Sequence, residues 1–330
     1  MKVSIIIPVK EVNAYIMESS EYLRRLDYTD FEIIIFPDRD SGVKLLNTRI
    51  IATGPMGPAE KRDLAIRYAQ GDILAFLDDD AYPRHDWLKN AVRHFEDEGV
   101  GAVGGPAVTP HSDNKLQKAS GAVFSSRLTS SNYVYRYLPE GQRDVEDFPT
   151  VNLFVRRSVF EALGGFDTSY WPGEDTKLCM DITKKLGLRI VYDPEALVYH
   201  HRRPLFLPHL RQVSRYAFQR GYFVKAFPAT SRKPGYFIPS LFLFFLIVGA
   251  LISALSETLL LAYGGAVSIY LFLLMAASVT AMFANRNITV GIMTFIGIFL
   301  THITYGYHFM KGLLSKKRGI KAVSIEHEAI

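Results

Sequence analysis

Short apolar runs separated by amphipathic stretches open the chain. Val3-Ser4-Ile5-Ile6-Ile7-Pro8-Val9 is β-branched almost throughout, as suits a strand buried on both faces, and Phe31-Glu32-Ile33-Ile34-Ile35-Phe36 repeats the pattern. A third run, Ile73-Leu74-Ala75-Phe76-Leu77, ends in three carboxylates. Between the first two, apolar positions from Ala14 to Leu26 recur at helical spacing. Before the third, Pro58 sits where a first helical turn accepts proline, Leu64, Ala65 and Tyr68 give an apolar face, and Gly71 stops the helix. This alternation of strand and helix predicts an α/β unit with a central, mostly parallel sheet. No Gly-x-Gly-x-x-Gly follows the first strand and no Walker lysine loop occurs, so neither a dinucleotide nor a P-loop phosphate grip is supported.

Further along, the spacing predicts strands over Val151–Val155, Leu188–Tyr192 and Ala196–Tyr199. It also predicts a short helix from Ser158 to Leu163, stopped by Gly164-Gly165, and a longer one from Glu174 to near Leu186, stopped by Gly187. Pro110 to Asp147, rich in Ser, Tyr and Arg, reads as a long loop. From Pro204 to Phe227, apolar Leu205, Phe206, Leu207, Leu210, Val213, Tyr216 and Phe218 alternate with Arg211, Arg215 and Arg220, the pattern of an amphipathic helix on a membrane surface. Three apolar stretches follow, near Tyr236–Ser256, Thr258–Phe283 and Ile288–Met310, each close to the roughly 20 residues that cross a bilayer. Glu257 and Asn285-Arg286-Asn287 separate them. The expected organisation is an α/β domain over 1–203, an amphipathic interfacial region over 204–234, about three transmembrane helices over 235–312 and a basic tail over 313–330.

Charge and cysteine content refine this. The net charge of +5 does not require nucleic acid, because Arg202, Arg203, Arg211, Arg215, Arg220, Lys225, Arg232, Lys233 and Lys316-Lys317-Arg318 flank the apolar segments. Anionic lipid and the positive-inside rule account for that placement. The single cysteine, Cys179, excludes a disulfide framework within the chain and agrees with a reducing compartment. Met1-Lys2 leads straight into the first strand without a leader pattern, so an integral membrane protein with its α/β domain facing the cytoplasm is expected. With all three segments crossing, the basic tail ends on the far side. Either the tail breaks the charge rule, or one segment is re-entrant or lies along the interface.

Candidate chemistry begins at Asp78-Asp79-Asp80. A buried strand that ends in clustered carboxylates delivers them to the sheet edge where open α/β folds bind ligands. Either a divalent cation offsets the cluster or it is a solvated acidic turn. Glu174 and Asp175 stand in a first helical turn, where they cap the helix or where Asp175 serves as a base at the lip of a cleft. His200-His201, at a strand end, are metal ligands or structural histidines.

Taken in order, these features resemble the family 2 glycosyltransferases of the GT-A fold over roughly Val3 to Tyr222. The resemblance rests on the strand ending in Pro8, Asp38 after the second strand, Lys61-Arg62-Asp63, Phe76-Leu77-Asp78-Asp79-Asp80, Gly164-Gly165-Phe166-Asp167, Gly173-Glu174-Asp175 and His200-His201. It implies a nucleoside-diphosphate-sugar donor, with Asp38 on the nucleobase, Asp78 on the ribose side, and Pro8, Arg62, Asp79 and Glu174 around the substrate. Asp80 would bind a divalent cation, Mg2+ or Mn2+, with His200 or His201 as a further ligand, and Asp175 would be the catalytic base of an inverting transfer. Gln212, Arg215 and Tyr216 resemble the synthase motif Gln-x-x-Arg-Trp, with Tyr replacing Trp. Pro37-Asp38-Arg39-Asp40 also departs from the family's usual Asp-Asp-Gly-Ser. The membrane segments suggest a lipid-linked or glycan acceptor, with Pro110–Asp147 on its side of the cleft or as a lid. Two other readings are a non-catalytic scaffold of the same fold and a membrane nucleotidyl- or phosphotransferase. The latter is expected to carry a phosphate-gripping glycine loop or an aspartyl nucleophile where this chain has Pro8-Val9-Lys10.

Overall fold

The computed structural model describes residues 1–170 and 172–316, so the expected basic tail lies outside the described residues from 317 onward. Two compact units interleave along the sequence: one built from Met1–Pro106 and Gly141–Val198, the other from Ala107–Glu140 and Tyr199–Ser315.

The first unit opens with β1 (Val3–Pro8), α1 (Ala14–Leu23), β2 (Phe31–Phe36) and β3 (Thr48–Ile50). Asn13 caps α1 by accepting the Ile16 N–H at 3.0 Å. The helix expected after Pro58 is two short ones, α2 (Pro58–Asp63) and α3 (Ala65–Tyr68), because the Leu64 N–H bonds back only three residues, to Lys61 O, and tightens the turn. Next come β4 (Ile73–Leu77), β5 (Ala81–Pro83), α4 (Trp87–Val92) and β6 (Val100–Gly104).

The chain then passes through the second unit as β7 (Ala107–Val108), α5 (Lys115–Ser125) and α6 (Arg127–Ser130). It returns to the first as β8 (Arg143–Val145), β9 (Asn152–Arg156), α7 (Arg157–Leu163) and α8 (Glu174–Met180). A π-helical turn, Asp181–Lys185, continues α8, so the helix expected to reach Leu186 ends on a wider coil. β10 (Arg189–Tyr192) and β11 (Val198–His200) close this part.

Among the described residues the main sheet has eight strands in the order β3-β2-β1-β4-β9-β6-β10-β8. β1 is parallel to β2 and β4, β2 to β3, and β6 to β10. β9 runs antiparallel between β4 and β6, and β8 antiparallel on β10. β1 and β4 are buried along their whole length, as their continuous apolar runs require. Ile6 lies beside Phe76 in register, which places Asp78 just beyond the carboxyl edge.

The second unit adds α9 (Leu207–Ala226), α10 (Pro228–Ser231), α11 (Ile238–Ser253), α12 (Glu257–Asn285) and α13 (Ile288–Leu314). The stretch expected to be a long loop instead holds α5, α6 and a 3-10 turn, Ser131–Arg136. A capping box starts α5: Asn114 accepts the Gln117 N–H at 3.0 Å, and Gln117 accepts the Asn114 N–H at 3.2 Å. Ala119 and Val123 of α5 share a core with Leu205, Leu274, Val290 and Ile298. Among the described residues, α12 and α13 are long and apolar enough to cross a membrane, whereas α11 has 16 residues.

Candidate active site

β4 ends at Leu77, and the next three residues are the acids. A carboxylate oxygen of Asp78 and one of Asp80 lie within 4.8 Å of each other. Asp78 Oδ1 accepts from Arg62 Nη2 at 2.6 Å. Asp79 Oδ2 accepts from Asn13 Nδ2 at 2.9 Å, so the residue that caps α1 also holds the middle acid. Burial, with the Asp80 and Asp78 charges added, pushes the Asp79 carboxyl up to about 6, and the Asn13 hydrogen bond only partly opposes this. An all-oxygen set this crowded suits a hard divalent cation.

Arg62 links this edge to the second acidic pair. Its Nη1 lies 3.5 Å from Glu174 Oε1, while its Nη2 holds Asp78, and Arg62 and Glu174 are both buried. Gly173, at φ +130°, makes the turn into α8 that a side chain would strain. There the Gly173 N–H donates to Glu174 Oε2 at 2.8 Å and the Thr176 N–H to Asp175 Oδ1 at 2.7 Å. Glu174 is thereby turned inward, while Asp175 is half-buried. Thr176 Oγ1 donates to the buried Asp147, at 3.2 Å to Oδ1.

Around β1 and β2, Asp38 pairs with Lys61, whose Nζ also donates to Val9 O at 2.5 Å, just past Pro8. Lys61 is 2% exposed, so its charge is committed to these partners rather than to solvent. Asp63 Oδ1 accepts the Phe166 N–H at 2.7 Å beneath Gly165, where an added Cβ would stand 2.4 Å from that oxygen.

β11 starts in the first unit, where the Arg84 N–H donates to Leu197 O at 3.0 Å just after β5. In the second unit, His200 Nδ1 meets Arg202 Nη1 at 2.9 Å, and His201 Nδ1 pairs with the buried Asp113. Gln212 Nε2 donates to Tyr216 Oη at 3.1 Å on α9, with Arg215 exposed beside them.

The first unit thus brings together Pro8, Asp38, Arg62, Asp78, Asp79, Asp80, Glu174 and Asp175. The second holds His200, His201, Gln212, Arg215 and Tyr216. Residue patterns did not single out Asn13 or Asp147 as supporting groups, and they marked Asp63 only as part of Lys61-Arg62-Asp63, without its partner. For Asn13 the capping position before α1 was the available signal, while for Asp147 there was none.

The sequence model of the family described as Glycosyl transferase family group 2 matches residues 73–286. The chain is 32% identical over 147 residues to a pre-mycofactocin glycosyltransferase of Mycobacterium tuberculosis (strain ATCC 25618 / H37Rv), which is 44% of this chain and 30% of that protein. The chain therefore spans less than a third of that relative's length. It is 24% identical over 332 residues, covering 94% of this chain and 97% of the relative, to a dolichyl N-acetyl-alpha-D-glucosaminyl phosphate 3-beta-D-2,3-diacetamido-2,3-dideoxy-beta-D-glucuronosyltransferase of Methanococcus voltae. Among solved structures, the mannosyltransferase PcManGT from Pyrobaculum calidifontis, in complex with GDP-Man and Mn2+, matches with a TM-score of 0.56 at 20% identity, over 90% of this chain and 87% of that one. That likeness is one of fold, and it bears out the expected GT-A architecture with its mostly parallel sheet.

Proposed function

Because this chain belongs to glycosyl transferase family group 2, whose model spans well over half of it, we propose that it moves a sugar from a nucleoside-diphosphate sugar to a hydroxyl of a lipid-linked or glycan acceptor at a membrane. The observation that carries the reading is Arg62, which ties Asp78 at the end of β4 to Glu174 at the start of α8. One buried guanidinium thereby sets the donor-side acids and the candidate base in fixed register. The donor in the Pyrobaculum complex and the lipid-phosphate acceptor named for the Methanococcus relative are of the same chemical classes.

In this reading Asp38, held by Lys61, contacts the nucleobase beside Pro8, Asp78 the ribose side, and Asp79 stiffens the edge through Asn13. Asp78 and Asp80 are the oxygens that would hold Mg2+ or Mn2+. His200 is the further ligand of this proposal, and His201 is left to Asp113. A bound cation supplies positive charge against the leaving diphosphate.

Asp175 takes the proton as the acceptor O–H bond breaks. The oxygen forms its bond to the anomeric carbon, and the carbon–oxygen bond to the diphosphate breaks with its electron pair on the departing oxygen. One base and no carboxylate nucleophile give a single displacement and inversion. Gln212, Arg215 and Tyr216 contribute to substrate binding. The apolar helices keep the chain integral to the membrane with its α/β unit on the cytoplasmic face.

Purified protein titrated with uridine, guanosine and thymidine diphosphate sugars is expected to bind one donor when Mg2+ or Mn2+ is present, and Asp80→Ala or a chelator is expected to abolish this. Asp175→Asn is expected to bind that donor normally and to lose about 100-fold or more in transfer. Unchanged turnover removes Asp175 from the mechanism. If no donor binds, the non-catalytic scaffold is favoured.

A further inference from the structure

Asp175 stands between two buried residues, each held from a different part of the first unit. On one side Glu174 meets the Arg62 guanidinium of α2. On the other, Thr176 and Asp147 are both buried, and the Thr176 hydroxyl lies 3.2 and 3.3 Å from the two carboxylate oxygens of Asp147. Thr176 also reaches the candidate base itself, since its N–H donates to Asp175 Oδ1 at 2.7 Å. One residue therefore joins that base to a second, buried acid.

Asp147 belongs to a segment between β8 and β9 that meets α8 at a second point. The Phe148 N–H donates to Cys179 Sγ at 3.4 Å, and the thiol donates to Phe148 O at 3.6 Å. Thr176 and Cys179 are three apart on α8 and so share a face, which is the face turned to this segment. Phe148 in turn is seated on the sheet. Its ring centroid is 6.0 Å from that of Tyr192 on β10, and a Cβ at Gly104 of β6 would stand 2.4 Å from the ring. Gly104 and Tyr192 are partners in register, so the missing side chain at Gly104 makes room for Phe148. Contacts thus run from β6 and β10 through Phe148 and Asp147 to the first turn of α8. An apolar pair would hold the two segments together as well. A carboxylate buried there adds direction, because its hydrogen bonds fix how the turn is set.

We propose that Asp147, acting through Thr176, is a positioning residue for Asp175 and sets where the base stands against the acceptor hydroxyl. This rests on the transferase reading above, with Asp175 as the base. Asp147 itself takes no proton in the transfer.

The full-length protein in detergent is incubated with UDP-glucose, GDP-mannose and dTDP-glucose in the presence of Mn2+. Water serves as the acceptor, and release of nucleoside diphosphate is followed while donor binding is titrated on the same samples. Thr176→Val, close in shape but without the hydroxyl, is expected to bind donor within about twofold of wild type and to lose about tenfold in turnover, since a displaced base is costly. Thr176→Ser keeps the hydroxyl and should recover most of that loss. Asp147→Ala should match Thr176→Val, and Asp147→Asn, which keeps an acceptor oxygen, should fall between. Deuterium exchange, read without substrate, is expected to quicken about tenfold at the α8 amides of Thr176→Val and to stay as in wild type in β1 and β4. Wild-type turnover in Thr176→Val, or no recovery in Thr176→Ser, overturns the proposal. A loss of donor affinity as large as the loss of turnover overturns it in favour of a structural contact. Unchanged exchange at α8 in Thr176→Val also overturns it, whether or not any donor is turned over. Absence of turnover in wild type counts against the transferase reading alone, and exchange then decides whether Asp147 holds the turn.

Discussion

Lys61, Arg62 and Asp63 are consecutive, yet they reach three parts of the first unit: Lys61 to Asp38 and Val9 O, Arg62 to Asp78 and Glu174, Asp63 to the Phe166 N–H. The tightened turn at the end of α2 spreads them in three directions. Arg62→Met is expected to destabilise the protein by about 3 kcal/mol in denaturant unfolding, because it leaves the buried Glu174, and the partly exposed Asp78, without their cation. Arg62→Lys should recover only part of that, since an ammonium lacks the fork that serves both acids.

Asp63 behaves differently. Burial pushes its carboxyl up to about 7, helped by the Glu174 charge and opposed by the Phe166 N–H and Arg62. In the unfolded chain it ionises near the ordinary value of 3.8. Between these values the native state therefore holds more protons than the unfolded one, and stability falls as pH rises through about 7. Asp63→Asn, which keeps an oxygen for Phe166 but carries no charge, is expected to gain on wild type by on the order of 2 kcal/mol between pH 5 and pH 8. Thermal denaturation at the two pH values checks this, and a constant difference refutes it. The three acids after β4 were legible because polar residues closing a buried run announce a sheet edge. Asp63 was not, since its partner is 103 residues away and only the folded sheet brings them together.

At the level of elements, period and capping carried the α/β core, where buried runs and glycine stops are unambiguous. They failed over Pro110–Asp147, where polar composition hid α5. Its small residues, Ala119, Ser120 and Gly121, are buried, so the apolar stripe that marks a helix was muted. His209 of α9 shows what replaces it, with Nδ1 on Ser120 Oγ at 2.8 Å and Nε2 on Thr301 Oγ1 at 3.0 Å, joining α5, α9 and α13. α9 continues beside α13 in the same direction, from the His209–Thr301 contact to Lys225 at Ser315 O. Glycines allow that approach: a Cβ at Gly312 would lie 1.9 Å from Phe218 O, and one at Gly221 would lie 2.1 Å from Phe309 O. Gly312→Ala is expected to cost roughly 3 kcal/mol or more by forcing the two helices apart. Gly264→Ala, with nothing within 4 Å of its added Cβ, should be neutral or stabilising. Melting both variants in detergent gives the comparison, and equal melting temperatures would remove the close packing from the account.

Across the whole molecule, the apolar helices are unevenly covered. Only 6% of the most apolar window of α12 is buried within the protein, against 33% for α13. An uncovered apolar helix of 29 residues has the length and the exposed sides that a bilayer would cover. The chain is expected to stay in the membrane pellet through an alkaline carbonate wash, and its release would refute membrane integration. The number of stretches was legible from hydropathy. The length of α11 was not, because hydropathy does not register where a helix stops.

The interleaving of the two units also bears on how the protein is made. Ala119 and Val123 leave the ribosome long before Val290 and Ile298, the residues that complete their core. At about 5–20 residues per second that interval is on the order of ten seconds, during which the apolar side of α5 lacks its full native cover. Translation order therefore makes the early segment dependent on the last helix, and a shortened chain ending before α9 should emerge as a client for chaperones rather than as a soluble catalytic fragment.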